Sequence, residues 1–197
     1  MKDLTVKTLV PLVRCFLLPA MILSLTACGS SSNQTRYLHK NADLGALTKV
    51  AVLPFDNLAA ERSAGDKVQK IFYLELLSLD VFEITEPGLV TKTLRGQTGL
   101  DAFGPADYQR IGKDLGADAV FIGTVVDFAD THAGSVPAPD VTIQLRLIET
   151  KTGTTLWSTS QSRSGTSTSS RLFGVGGESL TSAARRVVRN ELSTLLK

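Results

Sequence analysis

Ala117-Asp118-Ala119-Val120-Phe121-Ile122-Gly123-Thr124-Val125-Val126-Asp127-Phe128 is the most strand-like stretch of the chain. Its β-branched and aromatic residues run almost unbroken, the pattern of a strand buried on both faces. Such a strand needs a neighbour on each side and cover above and below, which predicts the centre of a sheet in a layered α/β domain. Lys49-Val50-Ala51-Val52-Leu53-Pro54-Phe55-Asp56 is a second run of the same kind. Between the two, Val68, Ile71, Phe72, Leu76 and Leu79 recur at helical spacing and predict a helix over 61–79. Val81 to Thr85 alternates as a strand, Pro87-Gly88 turns into a short helix over 89–94, and 96–104 is a glycine-bearing loop. Pro105 opens a helix that stops at Gly116.

Beyond the central strand, residues 129–140 are polar, with Gly134, Pro137 and Pro139, and read as a loop. Val141, Ile143, Leu145 and Leu147 then alternate with polar residues, the mark of a strand with one wet face. Thr150-Lys151-Thr152-Gly153 is a hairpin turn, and 154–162 pairs back with Leu156 and Trp157. Residues 165–177 are rich in Ser, Thr and Gly and read as a mobile loop. A last helix over 179–195 buries Leu180, Ala183, Ala184, Val187, Val188, Leu192 and Leu195. The expected fold is a single mixed α/β (α+β) domain of three-layer type, with about five strands in a mixed sheet and flanking helices.

The amino terminus is organised differently. Lys2, Lys7 and Arg14 precede an apolar run from Cys15 to Leu25, followed by Thr26-Ala27-Cys28-Gly29. This is the layout of a secretory signal peptide, and the apolar run is about half the roughly 20 residues of a spanning helix. Leu25-Thr26-Ala27-Cys28 resembles the lipobox of bacterial lipoproteins, which implies cleavage between Ala27 and Cys28 and acylation of Cys28. Residues 1–27 are then a leader, 28–47 a lipidated tether and 48–197 the folded domain. About 18 flexible residues would reach about 25 Å and hold the body clear of the headgroups. Gly29, where an inner-membrane lipoprotein of enteric-type bacteria tends to carry Asp, implies a periplasm-facing attachment to the outer membrane.

Removing the leader takes three of the 21 basic residues and one of the 19 acidic ones, so the mature 170 residues carry 18 of each sign. A neutral chain gives no bulk argument for nucleic acid. Cys15 leaves with the leader and Cys28 carries the lipid, so no thiol remains for a disulfide or a metal.

Three segments, in order, resemble the CsgG-like and TolB amino-terminal-like envelope domains: Val50 to Asn57, Leu115 to Val125, and Val141 to Ser158 with Thr152-Gly153 before Leu156-Trp157-Ser158. The resemblance covers about residues 48–163. It implies a periplasmic α/β module that binds an envelope partner or assembles with copies of itself. The pore-forming member of the family crosses the membrane with long strand insertions. Residues 129–140 are short and proline-broken, and 163–177 lack an alternating apolar face, so the resemblance implies the domain without its own pore. The same domain type is used by a lipoprotein that activates a penicillin-binding protein.

The residues carry little catalytic chemistry. His39 and His132 are the only histidines and stand apart, which disfavours a zinc site. No Gly-x-Ser-x-Gly is present. Asp56, Asp118 and Asp127 at strand ends suit turn and helix capping. Phe173-Gly174-Val175-Gly176-Gly177-Glu178-Ser179 precedes a helix but lacks a P-loop lysine, so it reads as a loop plus a cap. Arg185, Arg186 and Arg189 form a basic helix face, open either to solvent or to an acidic partner. Trp157 is either a core or hairpin-edge residue or a partner anchor. Three functional classes follow: a lipid-anchored interaction, assembly or regulatory protein without cofactor or metal, a small-ligand or lipid carrier, and an envelope hydrolase.

Overall fold

The computed structural model describes residues 34–95, 103–133, 136–165 and 178–196. The leader with Ala27 and Cys28, residues 96–102 of the glycine-bearing loop and 166–177 of the Ser/Thr/Gly loop lie outside them.

The described strands are β1 (Gln34–Leu38), β2 (Lys49–Val52), β3 (Asp56–Asn57), β4 (Glu83–Ile84), β5 (Ala119–Ala133), β6 (Val136–Glu149) and β7 (Thr155–Ser164). The helices are α1 (Ala64–Leu77), α2 (Pro87–Thr93), α3 (Pro105–Leu115) and α4 (Leu180–Leu192). They make a mixed α/β fold on one open sheet of order β1-β7-β6-β5-β2-β4, with β3 also on β5. β2 is parallel to both β4 and β5, whereas β5, β6, β7 and β1 pair antiparallel in turn. β5 therefore lies inside the sheet, where its apolar run predicts it.

One face is covered by α1 and α4. Phe72 and Leu76 of α1 and Val187, Val188 and Leu192 of α4 share a core with Phe121, Leu145 and Trp157. Ala183 and Ala184 are fully buried there, small enough to bring α4 close to the strands. The opposite face of β2 and β5 is covered by α2 and α3, whose Val90, Ile111 and Leu115 pack with Leu53, Val120 and Ile122. The other face of β6 and β7, with Gln144, Arg146, Ser158 and Ser160, lines a hollow of about 470 Å³.

Two glycines are required by geometry. Gly116 ends α3 at φ 61°, in the left-handed region that favours glycine. Gly123, in the middle of β5, faces the ring of Phe55, and an added Cβ would lie 2.6 Å from it. Gly123→Ala is expected to destabilise the domain by about 1–3 kcal/mol through overpacking, read as a fall in the urea midpoint at unchanged slope.

Three expectations are corrected. The tether does not run to residue 47: Gln34–Leu38 pairs along its whole length with β7, from Gln34 opposite Gln161 to Leu38 opposite Trp157. With β1 and the two-residue β3 the sheet has seven strands, not five. Residues 129–140 are not a loop: β5 and β6 continue as a paired ribbon to Ala133 and Val136. The two prolines fit because β7 ends opposite Asp140. Pro137 and Pro139 lie two apart, so their missing N–H groups point the same way, toward the side β7 has left open.

Candidate interaction surfaces

The two edges of the sheet differ in character. β1 is one edge, and all five of its residues are exposed. Among the described residues it bonds to β7 on one side only, and the other side of its backbone has no described strand beside it. Tyr37 and Leu38 are exposed there. β4, only two residues long, is the other edge. In the segments that flank β4 in sequence, Leu74 and Leu77 of α1, Val81, and Leu89 of α2 are exposed large apolar side chains. Leu74 also lines a cavity of about 610 Å³ with Val52, Pro54, Tyr73, Pro87 and Val90. Exposed large apolar side chains, where they cluster, are the kind of surface that marks interaction sites.

The arginines of α4 are not a free basic face. Arg189 grips Glu75 of α1 with two bonds, Nε to Oε2 at 3.0 Å and Nη2 to Oε1 at 3.2 Å. This pairing raises the guanidinium pKa further above its ordinary value. Arg185 approaches the same carboxylate at 3.6 Å. Arg186 lies 3.1 Å from Glu178, which also takes two contacts from Arg163 of β7, at 2.9 and 2.8 Å. Each carboxylate thus serves two guanidinium groups, and two positive charges are left over on the surface. The pairs made by the exposed Arg185, Arg186 and Arg189 contribute little to stability. Their effect is positional, tying α4 to α1 and to β7. Sequence spacing could not reveal this, since Glu75 and Arg189 lie 114 residues apart.

Trp157 has no exposed surface. Its ring meets Phe121 edge-on at 6.4 Å, and its Nε1–H donates to Thr194 Oγ1 at 3.2 Å. It is a core residue, so the alternative of a surface anchor falls away.

A residue without a sequence signal is Glu191, on the buried side of α4. It is 0 % exposed, and neither carboxylate oxygen makes a hydrogen bond of good geometry among the described residues; the same holds for Oε1 of Gln161, buried on β7. Burial pushes the Glu191 carboxyl well above its ordinary range, with the Gln161 backbone amide pulling the other way.

Of the carboxylates expected at strand ends, Asp118 is a capping group, whereas Asp127 lies inside β5 opposite Thr142 and Asp56 opens β3 opposite Thr124. Asp118 Oδ2 accepts from the N–H groups of Thr48 and Lys49, both at 2.9 Å, and fixes the start of β2. Ser179 caps α4 by accepting from Ser182 N–H. His39 accepts from Asn41 N–H through Nδ1, and His132 lies in the ribbon. Among the described residues no group of three potential metal ligands occurs, and no helix is long and apolar enough to cross a membrane.

No family profile matches the chain, and no curated protein matches it by sequence. Solved structures do. PelC from Paraburkholderia phytofirmans, crystallised as a dodecamer, aligns with a TM-score of 0.58 at 20% identity over 84% of this chain and 97% of that one. Lipoprotein GNA1162 from Neisseria meningitidis aligns with a TM-score of 0.53 at 18% identity over 75% of this chain and 99% of that one. At these identities the likeness is one of fold.

Proposed function

We propose that this chain is a lipid-anchored protein of the bacterial cell envelope that works as a non-catalytic interaction and assembly module. Its leader is removed between Ala27 and Cys28, Cys28 is acylated, and the domain faces the periplasm from the outer membrane. The leader pattern supports the anchor, and the fold likeness to a neisserial lipoprotein is consistent with it. It keeps the CsgG-like domain without a pore of its own, because residues 129–140 are broken by Pro137 and Pro139 and residues 163–177 lack an alternating apolar face.

The observation that carries the assembly reading is the pair of unlike sheet edges. Among the described residues, β1 with exposed Tyr37 and Leu38 is one edge of the sheet, and the elements flanking β4, the other edge, carry exposed Leu74, Leu77, Val81 and Leu89. Two different patches on opposite sides of a protomer join head to tail, and such contacts close into rings when the rotation allows. PelC, of similar fold, is a dodecamer. The leftover charge of the arginine cluster around Arg185, Arg186 and Arg189 would favour an acidic surface on whatever docks against α4.

Light scattering on residues 29–197, without the lipid, tests this. A discrete high-order species that Leu74→Glu reduces to monomer is the expected result. A monomer at all concentrations overturns self-assembly and leaves a tethered regulator, with its partner to be sought by crosslinking. The cavity between α1 and α2, about 610 Å³ and mainly apolar, favours a carrier as the second reading. Co-purified lipid in that cavity would support it.

A further inference from the structure

The two edges of the sheet carry opposite charge. From Gln34 to Lys40, β1 and the two residues after it hold Arg36 and Lys40 and no acidic residue. From Asp80 to Glu86, β4 and its flanks hold Asp80, Glu83 and Glu86 and no basic residue. All of these charged residues are exposed. Arg36 gives one bond to the Thr194 carbonyl and Glu83 pairs with Lys49 at 2.6 Å, and the Glu83 side chain is still 63% exposed.

Backbone direction matches as well. His39 N–H donates to the Leu156 carbonyl, so the odd residues of β1 face β7, and Gln34, Arg36 and Leu38 turn their N–H and C=O groups the other way. Glu83 and Thr85 donate to the carbonyls of Thr48 and Val50, so Phe82 and Ile84 turn theirs away from β2. Among the described residues no strand lies beyond β1 or β4. Three antiparallel pairings lead from β1 to β5, and two parallel ones from β5 through β2 to β4. β1 therefore runs opposite to β4. A second copy, turned about an axis along the strands, brings its β1 antiparallel to this β4.

We propose that β1 of one copy adds to β4 of the next as an antiparallel strand, so that the sheet runs on from protomer to protomer. This names the contact for the assembly reading above and rests on it. The register sets Arg36 opposite Ile84, where both backbones point outward. Tyr37 then lies opposite Glu83 and Lys40 opposite Asp80, and Arg36 is diagonal to Glu86, within reach of a long side chain. Two-fold contacts are disfavoured. β1 on β1 brings the basic residues of both copies together, β4 on β4 brings the acidic ones together, and like charges across a strand pair destabilise it.

The test uses the full chain, expressed with its leader and purified from membranes in mild detergent. Tyr37→Cys and Glu83→Cys are made singly, co-expressed as two chains, and combined in one chain, with the unsubstituted protein as control. Opposite residues of an antiparallel pair lie roughly 4.5–5.5 Å apart at Cα, within the span of about 4.4–6.8 Å that a disulfide bridges. On oxidation the co-expressed pair is expected to give a disulfide dimer and the combined variant a ladder of higher species. Tyr37→Cys co-expressed with Lys151→Cys is expected to give neither. A high-order species in which positions 37 and 83 do not join, or in which 37 joins 151 as readily, overturns the strand pairing and leaves the assembly reading standing. Single variants that crosslink to themselves show a two-fold contact and overturn the pairing too. A monomer at all concentrations overturns the assembly reading, and the pairing with it.

Discussion

Trp157→Ala is expected to lower the stability of the domain by about 3–5 kcal/mol, a large part of the roughly 5–15 kcal/mol that a domain of this size has in total. The indole sits with no exposed surface between the sheet and α4. Truncation leaves a hole lined by Phe121 and its neighbours, and deprives Thr194 Oγ1 of its donor. Because Thr194 also accepts Arg36 Nη1 through its carbonyl, the loss reaches the contact between β1 and the end of α4. The expected readout in urea is a lower midpoint with an unchanged slope. Trp157→Phe keeps most of the volume and loses the Nε1–H bond, so it is expected to cost about 1 kcal/mol. If the two variants cost the same, the cavity is not the main term.

The position of Trp157 shows where sequence reading stops. Its place beside a turn fits both a core residue and an exposed anchor, and only the covering helix decides between them. What was legible is what periodicity encodes: the buried run of β5, the apolar arc of α1, the alternation of β6, and the proline and glycine that bracket α3. What was not legible depends on neighbours distant in sequence. β1 has no apolar pattern, because all five residues are exposed and its ladder with β7 is made by backbone. The prolines of the ribbon look like breakers until one sees that β7 has ended before them. The three arginines of α4 look like a free cationic face until Glu75 and Glu178 are brought to them by the fold. Each miss concerns an edge or a surface, where local propensity is weak and the partner sets the structure. For a protein whose candidate sites are edges, the fold is therefore easier to read than the function.

Glu191→Met is expected to stabilise the domain by about 1–3 kcal/mol near neutral pH, the cost of a buried polar group that makes no hydrogen bond of good geometry among the described residues. The helix position suits Met, which is unbranched and of similar length. The pH dependence separates this effect from simple packing. Burial raises the folded-state pKa of Glu191 well above the ordinary 4.5. Below that ordinary value both folded and unfolded chains hold the proton, and the carboxyl imposes no charge penalty. As pH rises through it, the unfolded chain ionises first, so the native protein loses stability until its own raised pKa is passed. Above that point the penalty is constant. Asp140 is shifted the same way, by burial and by Asp127, but it is common to both proteins and cancels in the difference. The gain from Glu191→Met should therefore be smallest near pH 4 and grow as pH rises through the ordinary 4.5 toward the raised folded-state value, measured by urea unfolding across that range. An equal gain at both ends would mean that the substitution acts through packing, and that the native protein does not bury an ionisable charge beneath α4.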